Sequence, residues 1–374
     1  MVGGGEGAFI GAVHRFAARL DDQFELVAGA LSSTPDKAQR SAEALGLDPK
    51  RSYPDFETMA RAEARRKDGI EAVAIVTPNH VHVPAALAFL KRGIHVICDK
   101  PVATSLAEAR KLTKAVEASG ALFCLTHNYT GYPMVRHARA MVAAGDLGTI
   151  RVIQVEYPQD WLTTKLEDTG QKQAGWRVDP KRSGAGGCIG DIGTHAFQIA
   201  NFVTGLTCAA VSADLTTFVE GRALDDNVHV MLRYEGGAKG MLWASQVAPG
   251  NENALKLRVY GSKGGLVWAQ EQPNHLWFTP HGEPKRLISR GTGAANAAAS
   301  RVTRIPAGHP EGYLEGFATL YAEVARAIIA ARSGEAPDAG VLFPGLADGL
   351  SGMAFIEAAI ASSKANGRLT VLKA

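Results

Sequence analysis

Two short segments hold side chains able to move protons beside a bound ligand. The first, Cys98-Asp99-Lys100-Pro101, places an amine directly after the apolar run at residues 94–98. If that run is a parallel strand, its C-terminal end lines the ligand crevice, and Lys100 faces what is bound there. The second is Gly184-Ala185-Gly186-Gly187-Cys188-Ile189-Gly190-Asp191-Ile192-Gly193-Thr194-His195. Read as a helix, it sets Asp191 and His195 four residues apart on one face. Its glycine-rich entry lets the helix start sit close to a ligand. An imidazole, with an unperturbed pKa of ~6.5, exchanges a proton readily near neutral pH. Alone, an Asp-Lys-Pro is better read as a surface lysine ahead of a helix, and a lone helical histidine as packed or solvated. It is their combination that needs an explanation.

The N-terminus supplies a second kind of signal. It reads Met1-Val2-Gly3-Gly4-Gly5-Glu6-Gly7-Ala8-Phe9-Ile10-Gly11 and continues as a helix. A glycine-rich turn between a strand and a helix lets backbone amides approach a pyrophosphate, and the helix start adds partial positive charge. Gly3 and Gly5 give the first G-x-G, and the third position is Ala8 or Gly11. This irregular cluster is weak alone. Ahead of a strand–helix series it predicts dinucleotide binding, with Gly3, Gly5, Gly7, Phe9 and Ile10 as candidate contacts. Only Met1 and Val2 precede the glycines, against ~5 residues for a usual strand; either natural residues are absent ahead of them or the first strand is short. An acidic residue is expected ~20 positions on, to hold the ribose of NAD. Leu31-Ser32-Ser33 stands there instead, with Asp36, Lys37 and Arg40 close by. Ser32, Ser33 and Lys37 are therefore candidate contacts. NAD is the leading cofactor and NADP stays open, since hydroxyls with cations suit an extra phosphate.

These residues need a scaffold, and the first third of the chain predicts one. Strands are expected at residues 24–28, 72–76, 94–98 and 121–125. Helices are expected at 34–45, 83–92 and Leu106–Ser119, with Thr34 as N-cap and Gly46, Gly93 and Gly120 as stops. Strands alternating with crossover helices mean a doubly wound parallel sheet. After about Asn128 the pattern changes. Strands are expected at 150–157, 209–218, 228–234, 238–245, 254–260, 265–267 and 275–278, several joined by turns such as Glu235-Gly236-Gly237. A Gly/Ala-rich loop at 290–300 and helices at Tyr313–Arg332 and 347–365 close the chain. The expected fold is α/β: a Rossmann domain at 1–128, then an α+β domain at 129–374 on a large open, mostly antiparallel sheet. The C-terminal helices are candidates to pack back on the first domain.

Bulk properties exclude several alternatives. The 374 residues suit two domains. The 40 basic and 37 acidic residues leave a formal charge of +3, which gives no reason to expect nucleic acid or a membrane surface as partner. Cys98, Cys124, Cys188 and Cys208 form no Cys-x-x-Cys pair, so a soluble protein of a reducing cytoplasm is expected. No apolar run reaches the ~18 residues of a membrane span, and no secretory signal is seen. His80 and His82 lack a convincing third ligand, so no metal is expected.

Taken together, the motifs resemble the glucose–fructose oxidoreductase / inositol dehydrogenase / rhizopine-catabolism (Gfo/Idh/MocA) family over nearly the whole chain. The markers are the N-terminal glycine turn, Thr77-Pro78-Asn79 with His82, Asp99-Lys100-Pro101 where the family more often has Glu-Lys-Pro, Trp176-Arg177, and the Gly-x-x-x-Asp-x-x-x-His run from Gly187 to His195. The resemblance implies an NAD(P)-dependent dehydrogenase for sugars or cyclic polyols. His195 would be the general base, Lys100 would bond the reacting hydroxyl, and Asp191 would fix the substrate. By the same matching Thr77, Pro78, Asn79, His82, Asp99, Lys100, Pro101, Asn128, Trp176 and Arg177 would border the cofactor.

Polar and aromatic residues gather where a sugar pocket is expected: His127, Tyr129, Tyr132, Lys165, Arg177, Gln246, Asn251, His309 and Tyr313, beside Lys100, Asp191 and His195. Arg177 with Lys165 would also suit an anionic sugar. Two other readings compete. One is a glycoside hydrolase that uses NAD for transient C3 oxidation and elimination, with no net NADH. The other is a non-catalytic nicotinamide-binding regulator, which has no need of Lys100, Asp191 and His195 together. The open sheet exposes a face too large for a monomer, so a homodimer or homotetramer is expected.

Overall fold

The computed structural model describes residues 1–373. It divides into two compact units, Met1–Asn128 with Phe317–Leu350, and Tyr129–Gly316 with the chain from Ser351 onward.

In the first unit β1 (Val2–Gly3), β2 (Ala72–Val76), β3 (His95–Cys98) and β4 (Phe123–Leu125) lie side by side in that order. All pair in parallel, with Val2 opposite Ile75, Val73 opposite Val96 and Ile97 opposite Cys124. On the other side of β1, Ala30 pairs with Val2, and Gly29 pairs in turn with Ser52. The spatial order is thus Ser52, Gly29–Ala30, β1, β2, β3, β4. Chain order reverses between β1 and β2, which is the switch point where doubly wound sheets open a ligand crevice. The continuous apolar run of β2 reflects burial on both faces, with Val73 and Ile75 fully enclosed.

The strand expected at residues 24–28 does not form. Pairing begins at Gly29 and Ala30, because the Met1 amino group already reaches only as far as the carbonyl of Ala28. Residues 24–27 lie beyond the backbone groups that β1 offers. Phe24 and Leu26 serve instead as packing residues, Phe24 edge-on to Tyr321 and Leu26 against Met1, Leu31 and Val76. The helices fall at Pro35–Ala44, Phe56–Glu63, His82–Leu90 and Leu106–Ser119. The second of these was not expected from the sequence. Asp55 caps it through the amide of Thr58, and Ser105 caps the last through Glu108.

Residues 317–350 cluster with this unit, not with the second domain that 129–374 outlined. Several contacts explain it. The Tyr321 hydroxyl meets the buried His14 ring at 2.8 Å, and Phe317 packs on the same ring. The Leu125 amide donates to the Pro344 carbonyl, extending the hydrogen bonding beyond β4. Gly349 sits against Val102 and Leu125.

The second unit is built on nine strands: β5 (Ile150–Pro158), β6 (Cys208–Thr216), β7 (Asn227–Tyr234), β8 (Lys239–Ser245), β9 (Lys256–Gly261), β10 (Gly264–Ala269), β11 (His275–Pro280), β12 (Arg286–Ser289) and β13 (Thr370–Val371). Their order is β12-β11-β10-β9-β5-β8-β7-β6-β13. Only β5 and β8 pair in parallel; every other neighbouring pair is antiparallel. Alternate residues such as Ile153, Val155, Val228, Val230, Leu242, Leu257, Val259 and Trp268 are buried on one face. The helices Pro133–Ala143 and Thr194–Thr204 cover that face. Phe355, on the C-terminal helix, stacks on Phe197 at 4.2 Å. The opposite face leaves Val152, Met231, Met241, Tyr260, Trp277 and Leu287 more than a third exposed.

Strands β12 and β13 and the helix at Pro133–Ala143 were not anticipated. The 290–300 segment is less open than a polar loop: it holds a helical turn, Ala297–Ser300, capped by Asn296, whose backbone amide is bonded to His137.

Glu63 illustrates what holds the outer edge of the first sheet. Its carboxylate is fully buried and takes both arms of Arg51, the Tyr53 hydroxyl and the Ile70 amide. Removing the guanidinium strands a buried charge, which costs about 3–5 kcal/mol. Arg51→Ala is therefore expected to lower the urea midpoint clearly. An unchanged midpoint would mean the pair adds nothing to the fold.

Candidate active site

The first unit presents the nucleotide side. Gly3, Gly4 and Gly7 take φ of +76°, +75° and +70°, a backbone region costly to any residue with a Cβ. The turn also folds tightly on itself. A Cβ on Gly11 would lie 2.3 Å from the Gly4 Cα, and one on Gly5 would lie 2.6 Å from the Ser41 hydroxyl. Gly7 has open space where its side chain would be. The helix Phe9–Leu20 that follows has no acidic residue in its first turn. Open cradle and helix start together fit a pyrophosphate. Phe9 is exposed, whereas Ile10 packs against the cluster of Met1, Leu31 and Val76, so its side chain supports the turn from behind.

Ser32 and Ser33 follow the Ala30 pairing. Ser32 accepts the Thr34 amide, and Ser33 is exposed. Lys37 is half-buried, and its carbonyl holds the Ser41 hydroxyl.

The loops after β2 and β3 meet at one side chain. The buried His82 ring has Nδ1 2.7 Å from the Pro101 carbonyl and Nε2 2.9 Å from the Thr77 carbonyl. Burial lowers the His82 pKa, and a neutral imidazole donates from one nitrogen only, so the ring bonds one of these carbonyls and lies against the other between the two loops. His80 is exposed, and its side chain does not share this arrangement. Asp99 accepts the Lys100 amide at 3.0 Å and the Thr126 hydroxyl at 2.9 Å. Both bonds fall on Oδ1, so one oxygen of this acid ties the turn before Lys100 to Thr126. The Lys100–Pro101 peptide is cis. Near Lys100 the buried His127 imidazole is held neutral: burial, and then the Lys100 charge, pull it down to about 3. Buried Thr77 Oγ1 and Asn128 Nδ2 have no protein hydrogen-bond partner, which suits residues meant to meet a polar ligand. Pro78 and Asn79 lie beside Thr77, Asn79 buried.

The second unit presents the other chemistry. The glycine-led run is not a uniform α-helix. Ile189–Gly193 forms a wide π turn that passes directly into the α-helix Thr194–Thr204. Such wide turns recur at functional sites. Asp191 sits in the wide turn, and His195 in the first turn of the α-helix. Asp191 Oδ2 accepts Arg177 Nε at 3.2 Å and Gln246 Nε2 at 2.9 Å. The Arg177 guanidinium lies 4.4 Å over the Trp176 ring and also bonds Gln173. Arg177 is thus held between Asp191, Gln173 and the Trp176 ring. The His195 ring packs edge-on to Tyr129 at 5.0 Å and close to Tyr157. The Tyr129 and Tyr157 hydroxyls bond each other, and Tyr157 donates to Asn253, which also takes Gln159. Burial pushes both phenols up, so they stay protonated.

The other candidates fall in differing surroundings. Tyr132 is a core residue between Tyr129 and Trp268. Lys165 pairs with Asp168, and Asn251 bonds the Ala248 carbonyl. The His309 side chain is exposed, while its carbonyl takes the buried Arg290. Tyr313 is half-buried and near enough to Tyr157 to raise it. Sequence reasoning missed Tyr157, Gln159 and Asn253, which sit on strand and turn positions with no motif around them. It also missed Asp225, whose carboxylate anchors the Gly187 turn. Among the described residues no cluster of His, Cys, Asp and Glu could hold a metal, and no helix is long and apolar enough to cross a membrane.

Comparison with known proteins fits both halves. Residues 1–127 match the oxidoreductase-family NAD-binding Rossmann fold of Gfo/Idh/MocA proteins, and residues 135–267 match the Gfo/Idh/MocA C-terminal domain. The chain belongs to the Gfo/Idh/MocA family. This family member is similar to an oxidoreductase of Sinorhizobium meliloti, with 59% identity and a TM-score of 0.91 over 99% of this chain and 98% of that one. It is also similar to an inositol dehydrogenase homolog of Azotobacter vinelandii, solved with NADH and myo-inositol. The identity there is 37% and the TM-score 0.93, covering 99% of this chain and 96% of that one. An uncharacterized oxidoreductase of Bacillus subtilis, YfiI, is 34% identical over 97% of this chain and 93% of its own length. The present chain is an NAD-binding oxidoreductase with sugar and inositol dehydrogenase relatives.

The turn geometry gives a direct test. In Gly11→Ala the new methyl meets backbone that cannot rotate away. NADH affinity, followed by fluorescence on folded protein, is expected to fall at least tenfold. Wild-type affinity would contradict the turn's role as a nucleotide cradle.

Proposed function

We propose that this enzyme oxidises a secondary hydroxyl of a sugar, sugar derivative or cyclic polyol, with Lys100, Asp191 and His195 serving one reaction. The observation that carries the reading is the Asp191 arrangement. A carboxylate held by Arg177 and Gln246 shares one glycine-led helical run with the His195 imidazole.

The wide turn, the neutral His127, and the two buried atoms Thr77 Oγ1 and Asn128 Nδ2 support a site built for a polar ligand and a nicotinamide cofactor. Gly3, Gly5 and Gly7 would hold its pyrophosphate, and Thr77, Asn79 and Asn128 its nearby polar groups. Bound NAD supplies a hydride acceptor at C4 of its nicotinamide. His195 takes the hydroxyl proton on its imidazole. The Lys100 ammonium stabilises the negative charge that develops on the same oxygen. Asp191 accepts a hydrogen bond from a second substrate hydroxyl, with its own orientation set by Arg177 and Gln246. Proton transfer of this kind is worth roughly 10²–10⁴-fold, and orientation of the bound reactants supplies more. A pocket that bonds hydroxyls rejects analogues lacking them, because its polar groups would be left unpaired.

The inositol dehydrogenase homolog that carries myo-inositol makes a cyclic polyol the first substrate to try. The exposed apolar face of the nine-stranded sheet, with Met231, Met241 and Trp277, further supports a homodimer or homotetramer closed over that face.

The test mixes purified protein with NAD or NADP and a panel of inositols, aldoses and aryl glycosides. Growth of the reduced-cofactor absorbance with a polyol or sugar is the expected result. Release of an aglycone without that signal would replace this reading with redox-neutral glycoside cleavage, and no turnover at all would favour a binding protein. Lys100→Ala is expected to lower kcat by about 10²–10⁴-fold with NADH still bound; full turnover would remove Lys100 from the site. Light scattering at micromolar concentration should give a dimer or tetramer, and a monomer would contradict the covered face.

A further inference from the structure

Asp225 lies in the polar run Asp225-Asp226-Asn227 where β7 begins, and it is buried. Three successive amides converge on it. Its carboxylate oxygens accept Gly187 N at 2.7 Å and Ile189 N at 2.8 Å, and its carbonyl accepts Cys188 N at 2.8 Å. The approach is so close that a Cβ on Gly187 would stand 2.2 Å from the Asp225 carbonyl oxygen. The run that carries Asp191 and His195 starts at this knot.

The neighbouring residue reaches Asp191 by a second route. The Asp226 carbonyl accepts Gln246 N at 2.8 Å, and the Gln246 side chain donates to Asp191 at 2.9 Å. The Asp226 carboxylate is itself fixed by the amides of Phe218 and Val219 and by Arg222. One dipeptide therefore sets Asp191 both through its backbone and through its side-chain partner.

We propose that Asp225 is a positioning residue for the reaction, fixing where Asp191 and His195 stand; this rests on the dehydrogenase reading of that helix. Two physical facts support it. The ionised carboxylate accepts with both oxygens, whereas the protonated form turns one of them into a donor facing an amide. Burial pushes the Asp225 carboxyl from 3.8 up to about 6, with Asp226 adding to the shift against the two amide bonds. The Cys188 thiol beside it is pushed well up by the same burial and stays neutral. A folded-state pKa above the unfolded value means that this group's stability contribution falls as pH rises from 3.8 to about 6. Its ionisation works against the fold, while its two oxygens satisfy the amides of Gly187 and Ile189 at the start of the run that carries Asp191 and His195.

The test compares full-length wild type with Asp225→Asn and Asp225→Glu. Three quantities are read: NADH affinity, kcat and KM for a polyol turned over by the wild type, and amide hydrogen exchange across residues 186–195. Asp225→Asn is expected to bind NADH within twofold of wild type and to lose at least 100-fold in kcat per NADH-binding site, with Asp225→Glu recovering part of the loss. Exchange at Gly187 to Ile189 should speed up in Asp225→Asn at pH 8. A merely structural role would instead lower the yield of folded protein and leave kcat per site intact. Wild-type kcat in Asp225→Asn, or exchange at 187–189 unchanged in that variant, overturns the proposal. A wild type that turns over no sugar or polyol overturns the functional reading beneath it, which is a separate result.

Discussion

Three successive backbone amides converge on one buried residue, Asp225, where the glycine-led run of the second unit begins. Asp225 gathers the amides of Gly187 and Ile189 on its side chain and that of Cys188 on its carbonyl. The run released from that knot widens into a π turn before it becomes a helix. Asp191, within the wide turn, accepts from Arg177 and Gln246, and His195, in the first turn of the helix after it, packs on the Tyr129 edge. Glycine is a condition of this arrangement, since any side chain at position 187 collides with the Asp225 carbonyl oxygen.

The first unit obeys a related constraint, again one of backbone proximity. Gly4 and Gly11 touch across the turn after β1, so that strand and helix meet without side chains between them. The switch in strand order beside β1 opens the sheet at that turn. His82 then lies between the carbonyls of the two neighbouring loops, and Asp99 shapes the turn that delivers Lys100. Rigid supports of this kind let a reacting side chain be aimed to within a fraction of an ångström.

Much of this was legible in the residues themselves. The apolar run Ala72–Val76 and the helix Leu106–Ser119, with Ser105 before it and Gly120 after it, carry their own boundaries. Strands β5 to β11 were expected close to where they form, and burial of one face imposes the alternation they carry. Residues 24–28 misled because β-rich composition does not supply a partner strand; Gly29 and Ala30 pair because β1 reaches them. The return of residues 317–350 to the first unit depends on contacts such as Tyr321 with His14, far apart in sequence, which no local pattern encodes. Among the candidate site residues, Asp191 and His195 drew notice through their spacing. Asp225 and Asn253 were not, because their meaning comes from the amides and phenols that folding brings to them. His309 and Lys165 were chosen by chemistry alone; folding leaves one exposed and pairs the other with Asp168.

The account stands on the claim that Lys100 and His195 act in a single proton-and-hydride step. A double-mutant cycle measures this most directly, with kcat/KM for the same polyol in Lys100→Ala, His195→Ala and the pair combined. Side chains that work as a unit are strongly non-additive. The double variant is therefore predicted to be hardly slower than the worse single variant. Losses that multiply in full would show two independent contributions and contradict the shared step.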